Sequence, residues 1–103
     1  MTRPIAFTIQ AIREGNAAAG GHWFDPAAMR FFRCRVLGAV FTDDEGCSYF
    51  VTSEQGPHGP RAYSVRRYDR TTGAIATVGA FQAYSSPETA RTAAKRAAKG
   101  GAL

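Results

Sequence analysis

Three features of the sequence predict an α+β domain, an antiparallel four-stranded sheet packed with helices in the order ααββββα. Four segments rich in β-branched and aromatic residues follow one another, with turn residues between them. Two stretches before them and one after carry helix start and stop signals. Every connection between the strands is short, which favours antiparallel neighbours over crossovers. The 103 residues suit one domain, 1–103, with a single modest core.

The first helix is expected in "TIQAIREGNAAAGG". Thr8 caps it, Ile9 and Ile12 begin an apolar stripe that Ala17 to Ala19 continue, and Gly20-Gly21 stop it. Gly15 near its middle argues against a helix. In "HWFDPAAMRFFRC", Asp25 followed by Pro26 is a cap with proline at the first helical position. Phe24 and Met29 have the spacing of a hydrophobic staple. The aromatics between Trp23 and Phe32 are assigned to the core, because large rings supply most of the burial in a small domain.

The strands are "CRVLGAVFT", "CSYFVTSE", "RAYSVRRYD" and "GAIATVGAF". Asp43 to Gly46 make a tight hairpin, Glu54 to Pro60 a Gly/Pro loop, and Arg70 to Gly73 close the third strand on the fourth. The last helix lies in "SSPETARTAAKRAAKGG", with Ser86 as cap, Pro87 at the first position and Glu88 in the first turn. Ala90, Ala93, Ala94, Ala97 and Ala98 form one helical face that allows close approach to a sheet. Arg91, Lys95 and Lys99 form a row on the opposite face, with Arg96 beside it.

The formal net charge of +5 is unevenly spread. Residues 1–60 hold five Lys/Arg against six Asp/Glu, whereas residues 61–103 hold eight against two. That asymmetry points to an anionic partner, the alternative being a basic surface that serves solubility. Eleven of the thirteen basic residues are arginine, the residue whose planar fork suits phosphate. No run of about 20 apolar residues exists to span a bilayer. The N-terminus has no signal-peptide pattern, so the cytoplasm is the expected compartment and Cys34 and Cys47 are expected as free thiols.

No catalytic constellation emerges, and neither a cofactor nor a metal is expected. His22, Cys34, Cys47 and His58 are all the histidines and cysteines, and no pair has short zinc-ligand spacing. Nothing in the spacing selects a Cys–His nucleophile pair. Asp43, Asp44 and Glu45 read as a solvated turn. Along "AYSVRRYD", alternation puts Tyr63, Val65 and Arg67 on one face and Ser64, Arg66 and Tyr68 on the other. With Val65 inward, Arg66 and Tyr68 would stand exposed, flanked by Arg61 and Arg70. Arginines would then neutralise phosphates while the tyrosine stacks.

Two resemblances follow from quoted segments. "YSVRRYDRTTGAIATVGAFQAYSSPETARTAAKRAA" resembles the three-strand-plus-helix DNA-binding domains of plant ethylene-response factors and integrase arm-binding modules. Their base-reading residues are not matched one for one, so none is carried over. "AAGGHWFDPAAMRFFRCRV", "YFVTSEQ", "YSVRRYD" and "TVGAFQAYSS" together resemble a small accessory protein family of tailed phages and prophages, of unassigned function. This resemblance implies action inside a host cell by stoichiometric binding, as in anti-CRISPR proteins. The expectation is therefore a non-enzymatic inhibitor of a host nucleic-acid-handling complex, monomeric or homodimeric and independent of membranes. Its expected contacts are Arg61, Arg66, Tyr68, Arg70, Arg91, Lys95 and Lys99. The alternative is a protein that binds DNA or RNA directly through the same basic strand and helix.

Overall fold

The computed structural model describes residues 3–31, 33–56 and 59–100. The elements run α1 (Ile9–Ala18), α2 (Pro26–Phe31), β1 (Arg35–Thr42), β2 (Ser48–Glu54), β3 (Ala62–Tyr68), β4 (Ile75–Val78) and α3 (Pro87–Ala98). The four strands form one antiparallel meander in the order β1-β2-β3-β4. The expected α+β class and element order hold.

Local signals set the boundaries. Thr8 Oγ1 accepts from the Ala11 amide at 3.1 Å and starts α1. Asp25 Oδ1 accepts from the Ala27 amide at 3.0 Å, and Ser86 Oγ accepts from the Thr89 amide at 3.2 Å. At the first hairpin, Asp43 Oδ1 accepts from the amides of Glu45 and Cys47, both at 2.9 Å, so the acidic tip is a turn device. β1 departs from regular pairing between Val36 and Val40. The centre of the Gly/Pro loop, Pro57 and His58, lies outside the described residues.

Both faces of the sheet are covered. On one face, Cys47, Tyr49, Val51 and Val65 pack against Ala90, Ala93, Ala94 and Ala98 of α3. On the other, Phe50 and Tyr68 pack with Ala6 and Ile12, joined by Trp23, Phe24 and Ile75. Gly15 makes the second arrangement possible, because a Cβ there would lie 1.9 Å from Tyr68 Oη. The glycine that argues against the helix is thus the residue that lets α1 settle on the sheet.

Two expectations are corrected here. Arg66 and Tyr68 do share a face, but that face is interior: Arg66 is 8% and Tyr68 1% exposed. Alternation assigns sides of a strand, and a sheet covered on both sides has no wet one. The core assignment of the aromatics holds for Trp23 and Phe24 but not for Phe31, which is 80% exposed. Phe32 lies outside the described residues.

Candidate functional site

The seven residues expected as contacts, on a basic strand and a basic helix, do not come together. Arg61 and Arg70 flank β3 at opposite ends, roughly 30 Å apart at about 3.4 Å per residue. Arg70 sits by the first hairpin, where its Nε lies 2.6 Å from the position of a Cβ on Gly46. Arg91, Lys95 and Lys99 stand exposed on α3, whose alanine face packs on the sheet face away from α1. Arg66 and Tyr68 are interior. Of the seven, Arg61 lines a cleft together with Arg30, Arg33 and Arg35.

That cleft is lined by Met29, Arg30, Arg33, Cys34, Arg35, Gln55 and Arg61, and contains no acidic residue. Its walls are the C-terminal turn of α2 and the ends of the strands where β1 begins and β2 finishes. Arg61 Nη1 ties them together, donating to the Arg33 carbonyl at 2.9 Å, to Ser53 Oγ at 2.8 Å and to the Ser53 carbonyl at 3.2 Å. Among the described residues the one ion pair is Arg66–Glu54, so no carboxylate neutralises the four cleft arginines.

The turn that carries Arg33 is closed by two backbone bonds. The Cys34 amide donates to Met29 O at 2.8 Å, and the Arg33 amide donates to Arg30 O at 3.1 Å. This pairing is a Schellman closure, which normally places glycine in the left-handed region. Here Arg33 occupies that position with φ 48°. An arginine held there costs about 1–2 kcal/mol relative to glycine. Strain of this kind is commonly kept where the side chain has a task.

Beside the cleft, and sharing Met29 and Cys34 with it, lies a cavity of about 330 Å³ lined also by His22, Trp23, Glu54, Arg66 and Phe81. The Arg66 guanidinium is 5.3 Å from the ring centres of both Trp23 and Phe81. Its Nη2 donates to Glu54 Oε1 at 2.7 Å, its Nε to Thr52 Oγ1 at 2.9 Å, and its Nη1 to Thr77 Oγ1. Thr52 Oγ1 in turn donates to Glu54 Oε1 at 2.7 Å. Gln82, at φ 57°, braces the rim: its amide donates to Ser64 Oγ at 2.8 Å and its side chain to Glu54 O at 3.2 Å. Burial, followed by the Glu54 charge, pushes the Cys34 thiol up to about 11. That thiol is therefore protonated and a poor nucleophile at neutral pH.

Reading the sequence by halves hides this region. Residues 1–60 sum to −1, yet Asp43, Asp44 and Glu45 sit at the hairpin, the far end of β1 from Arg35. Glu54 is spent on Arg66. Asp25 caps the start of α2, and what gathers at its other end is Arg30, Arg33 and Arg35, legible in "RFFRCR" as a local density of one charge. Among the described residues no three His, Cys, Asp or Glu gather as a metal-ligand set, and His58 lies outside them. No described helix is long and apolar enough to cross a membrane.

Neither a curated protein nor a solved structure matches the chain. A family model does, over residues 8–95, from the cap of α1 to the third turn of α3. It takes in all of α1, most of α3 and every residue of the cleft and the adjoining cavity, and by that match the chain belongs to DUF7447, a family of unknown function.

Proposed function

We propose that this protein is a non-enzymatic binder of nucleic acid that holds phosphates in the cleft formed by Arg30, Arg33, Arg35 and Arg61. The observation that carries the reading is Arg33 in a left-handed position beside three further arginines without carboxylate partners among the described residues. Arginine forks pair with phosphate oxygens, and displaced counterions drive the association. The reading takes up the alternative of direct nucleic-acid binding and moves the surface: Arg61 stays, and the α3 row and Arg70 lie elsewhere.

The test is fluorescence anisotropy with labelled DNA and RNA across a salt series. Four phosphate contacts give a log–log slope of about −3 on single strands. Arg30→Glu with Arg35→Glu should abolish binding, while Arg91→Glu with Lys95→Glu should leave it within about twofold, as expected of changes away from the contact surface. No binding at ~50 mM salt, where phosphate contacts are strongest, sinks the reading. Equal losses from the two pairs would return the α3 face to the site.

Inhibition of a host nucleic-acid-handling complex, implied by the phage resemblance, would set the same cleft against an acidic protein surface of that complex. Pull-down from host lysate distinguishes the two. Capture of a stoichiometric host protein that survives nuclease treatment supports the inhibitor, and loss of all capture on nuclease treatment supports nucleic acid alone.

A further inference from the structure

The cavity next to the arginine cleft is more than a packing gap. Its size falls at the lower end of the range for small-molecule sites, about 300–1,000 Å³. Its apolar walls are Trp23, Met29 and Phe81, and Phe81 is 50% exposed, so one aromatic face is open to solvent. Met29 and Cys34 line both hollows, so the two are immediate neighbours. A chain whose phosphates lie among Arg30, Arg33, Arg35 and Arg61 carries its bases within reach of that opening.

The polar part of the cavity is unevenly satisfied. Glu54 Oε1 accepts from Arg66 and Thr52, both at 2.7 Å, and from Cys34 Sγ at 3.9 Å. Glu54 Oε2 accepts from Ser64 Oγ at 3.4 Å, a long contact, and has no other donor among the described residues. Glu54 is 3% exposed, and an ionised carboxylate oxygen has capacity for two strong donors. Arg66 gives three of its five N–H donors to Thr52, Thr77 and Glu54. The cavity thus offers two aromatic rings, each with the Arg66 guanidinium 5.3 Å from its centre, one carboxylate oxygen short of donors, and the arginine cleft beside it.

From this juxtaposition we infer that the cavity receives one unstacked base of a single strand held in the cleft, with an exocyclic amine donating to Glu54 Oε2. The inference rests on the nucleic-acid reading above and narrows it to single-stranded ligands with bases splayed out. Base stacking on an aromatic ring is tolerant of sequence, whereas a carboxylate accepts from the amino groups of cytosine and adenine. Thymine and uracil have no exocyclic amine. The cavity therefore confers a preference for amino-bearing bases.

The experiment measures binding of fluorescein-labelled dC, dA and dT homopolymers of about 12 nucleotides, within the span of known single-strand sites, at ~50 mM salt. The dC and dA strands should bind at least fivefold more tightly than dT. Phe81→Ala should weaken dC and dA about tenfold and erase the difference, since stacking on one ring is of that size. Arg33→Gly should weaken all three strands by the same factor. Equal binding of the three strands, or an unaltered preference in Phe81→Ala, overturns the base pocket while the phosphate cleft stands. Should no strand bind, the nucleic-acid reading falls and the pocket is judged alone through Trp23, the single tryptophan of the chain. Saturable quenching of Trp23 by CMP but not UMP, lost in Phe81→Ala, supports it; no quenching by either overturns it.

Discussion

The close approach of α1 to Tyr68 makes a quantitative prediction for Gly15→Ala. On an isolated helix the change is favourable by about 1 kcal/mol, since alanine is the better helix former. Here the new Cβ would meet Tyr68 Oη at 1.9 Å and Cζ at 2.8 Å, well inside the 3.5–4.0 Å of an ordinary contact. Tyr68 is 1% exposed and cannot swing into solvent, so α1 must lift or the ring must leave its rotamer. Overpacking of this kind costs about 1–3 kcal/mol, and the clash places it at the upper end. The net loss is about 2 kcal/mol, or a fall in Tm of roughly 10 °C for a domain of this size. Urea unfolding should show a lower midpoint with an unchanged slope. In a Tyr68→Phe background the 1.9 Å contact is gone and the 2.8 Å contact stays, so the same substitution should cost at least about 0.5 kcal/mol less. A midpoint raised by Gly15→Ala would refute the reasoning. It would mean that α1 does not lie on Tyr68.

Arg66→Met strands the Glu54 carboxylate in the interior and should cost about 3–5 kcal/mol by thermal or urea unfolding, whereas a surface arginine would cost under about 0.5 kcal/mol. Arg33→Gly relieves a left-handed arginine and should leave stability unchanged or raise it by up to about 1 kcal/mol. A clear loss of stability would show that the Arg33 side chain is structural rather than retained for a ligand. For Cys34, whose ordinary value of 9.0 is pushed to about 11, the thiol ionises earlier in the unfolded chain than in the folded one. The unfolded state then binds fewer protons between those values, so stability falls as pH rises through that window. Tyr49 and Tyr68, also raised by burial, add a decline of the same sign at higher pH. Cys34→Ala should flatten the first part of the decline; an identical pH–stability curve would place Cys34 in ordinary solvent. Iodoacetamide should label Cys34 slowly at pH 8, and rapid labelling there would argue the same way.

Punctuation made the fold legible in the sequence. Thr8, Asp25-Pro26, Ser86-Pro87 and the turns at Asp43–Gly46 and Arg70–Gly73 each act within a few residues, so their consequences can be read without tertiary knowledge. The site was less legible because it depends on what covers what. Period-two alternation sorts Arg66 and Tyr68 onto the face opposite Val65, but only the placement of α1 and Trp23 decides that both faces are interior. Arg66 also finds its partner twelve residues upstream, a pairing set by strand register: Phe50 stands opposite Arg66, and Glu54 on the same side comes within reach of the long side chain. Arg30, Arg33 and Arg35 do not show in a charge sum over sixty residues, because three acids at the far hairpin cancel them on paper but not in space. Arg61 is legible from its position at a strand end, which does not depend on what covers the sheet.

The order of the strands in the sheet has a consequence for how the chain is made. Every strand pairs with its neighbour in sequence, so the sheet can zip up hairpin by hairpin as synthesis proceeds. Its two covers arrive at opposite times. The segment carrying α1 is present before any strand and can shield Phe50 and Tyr68 as soon as β3 forms. The alanine face of α3 comes after β4, and until then Tyr49, Val51 and Val65 form an open apolar surface. A nascent chain stalled after Val78 would therefore be sticky on one side only. Chaperone capture, domain swapping of α3 or premature self-association would all begin there.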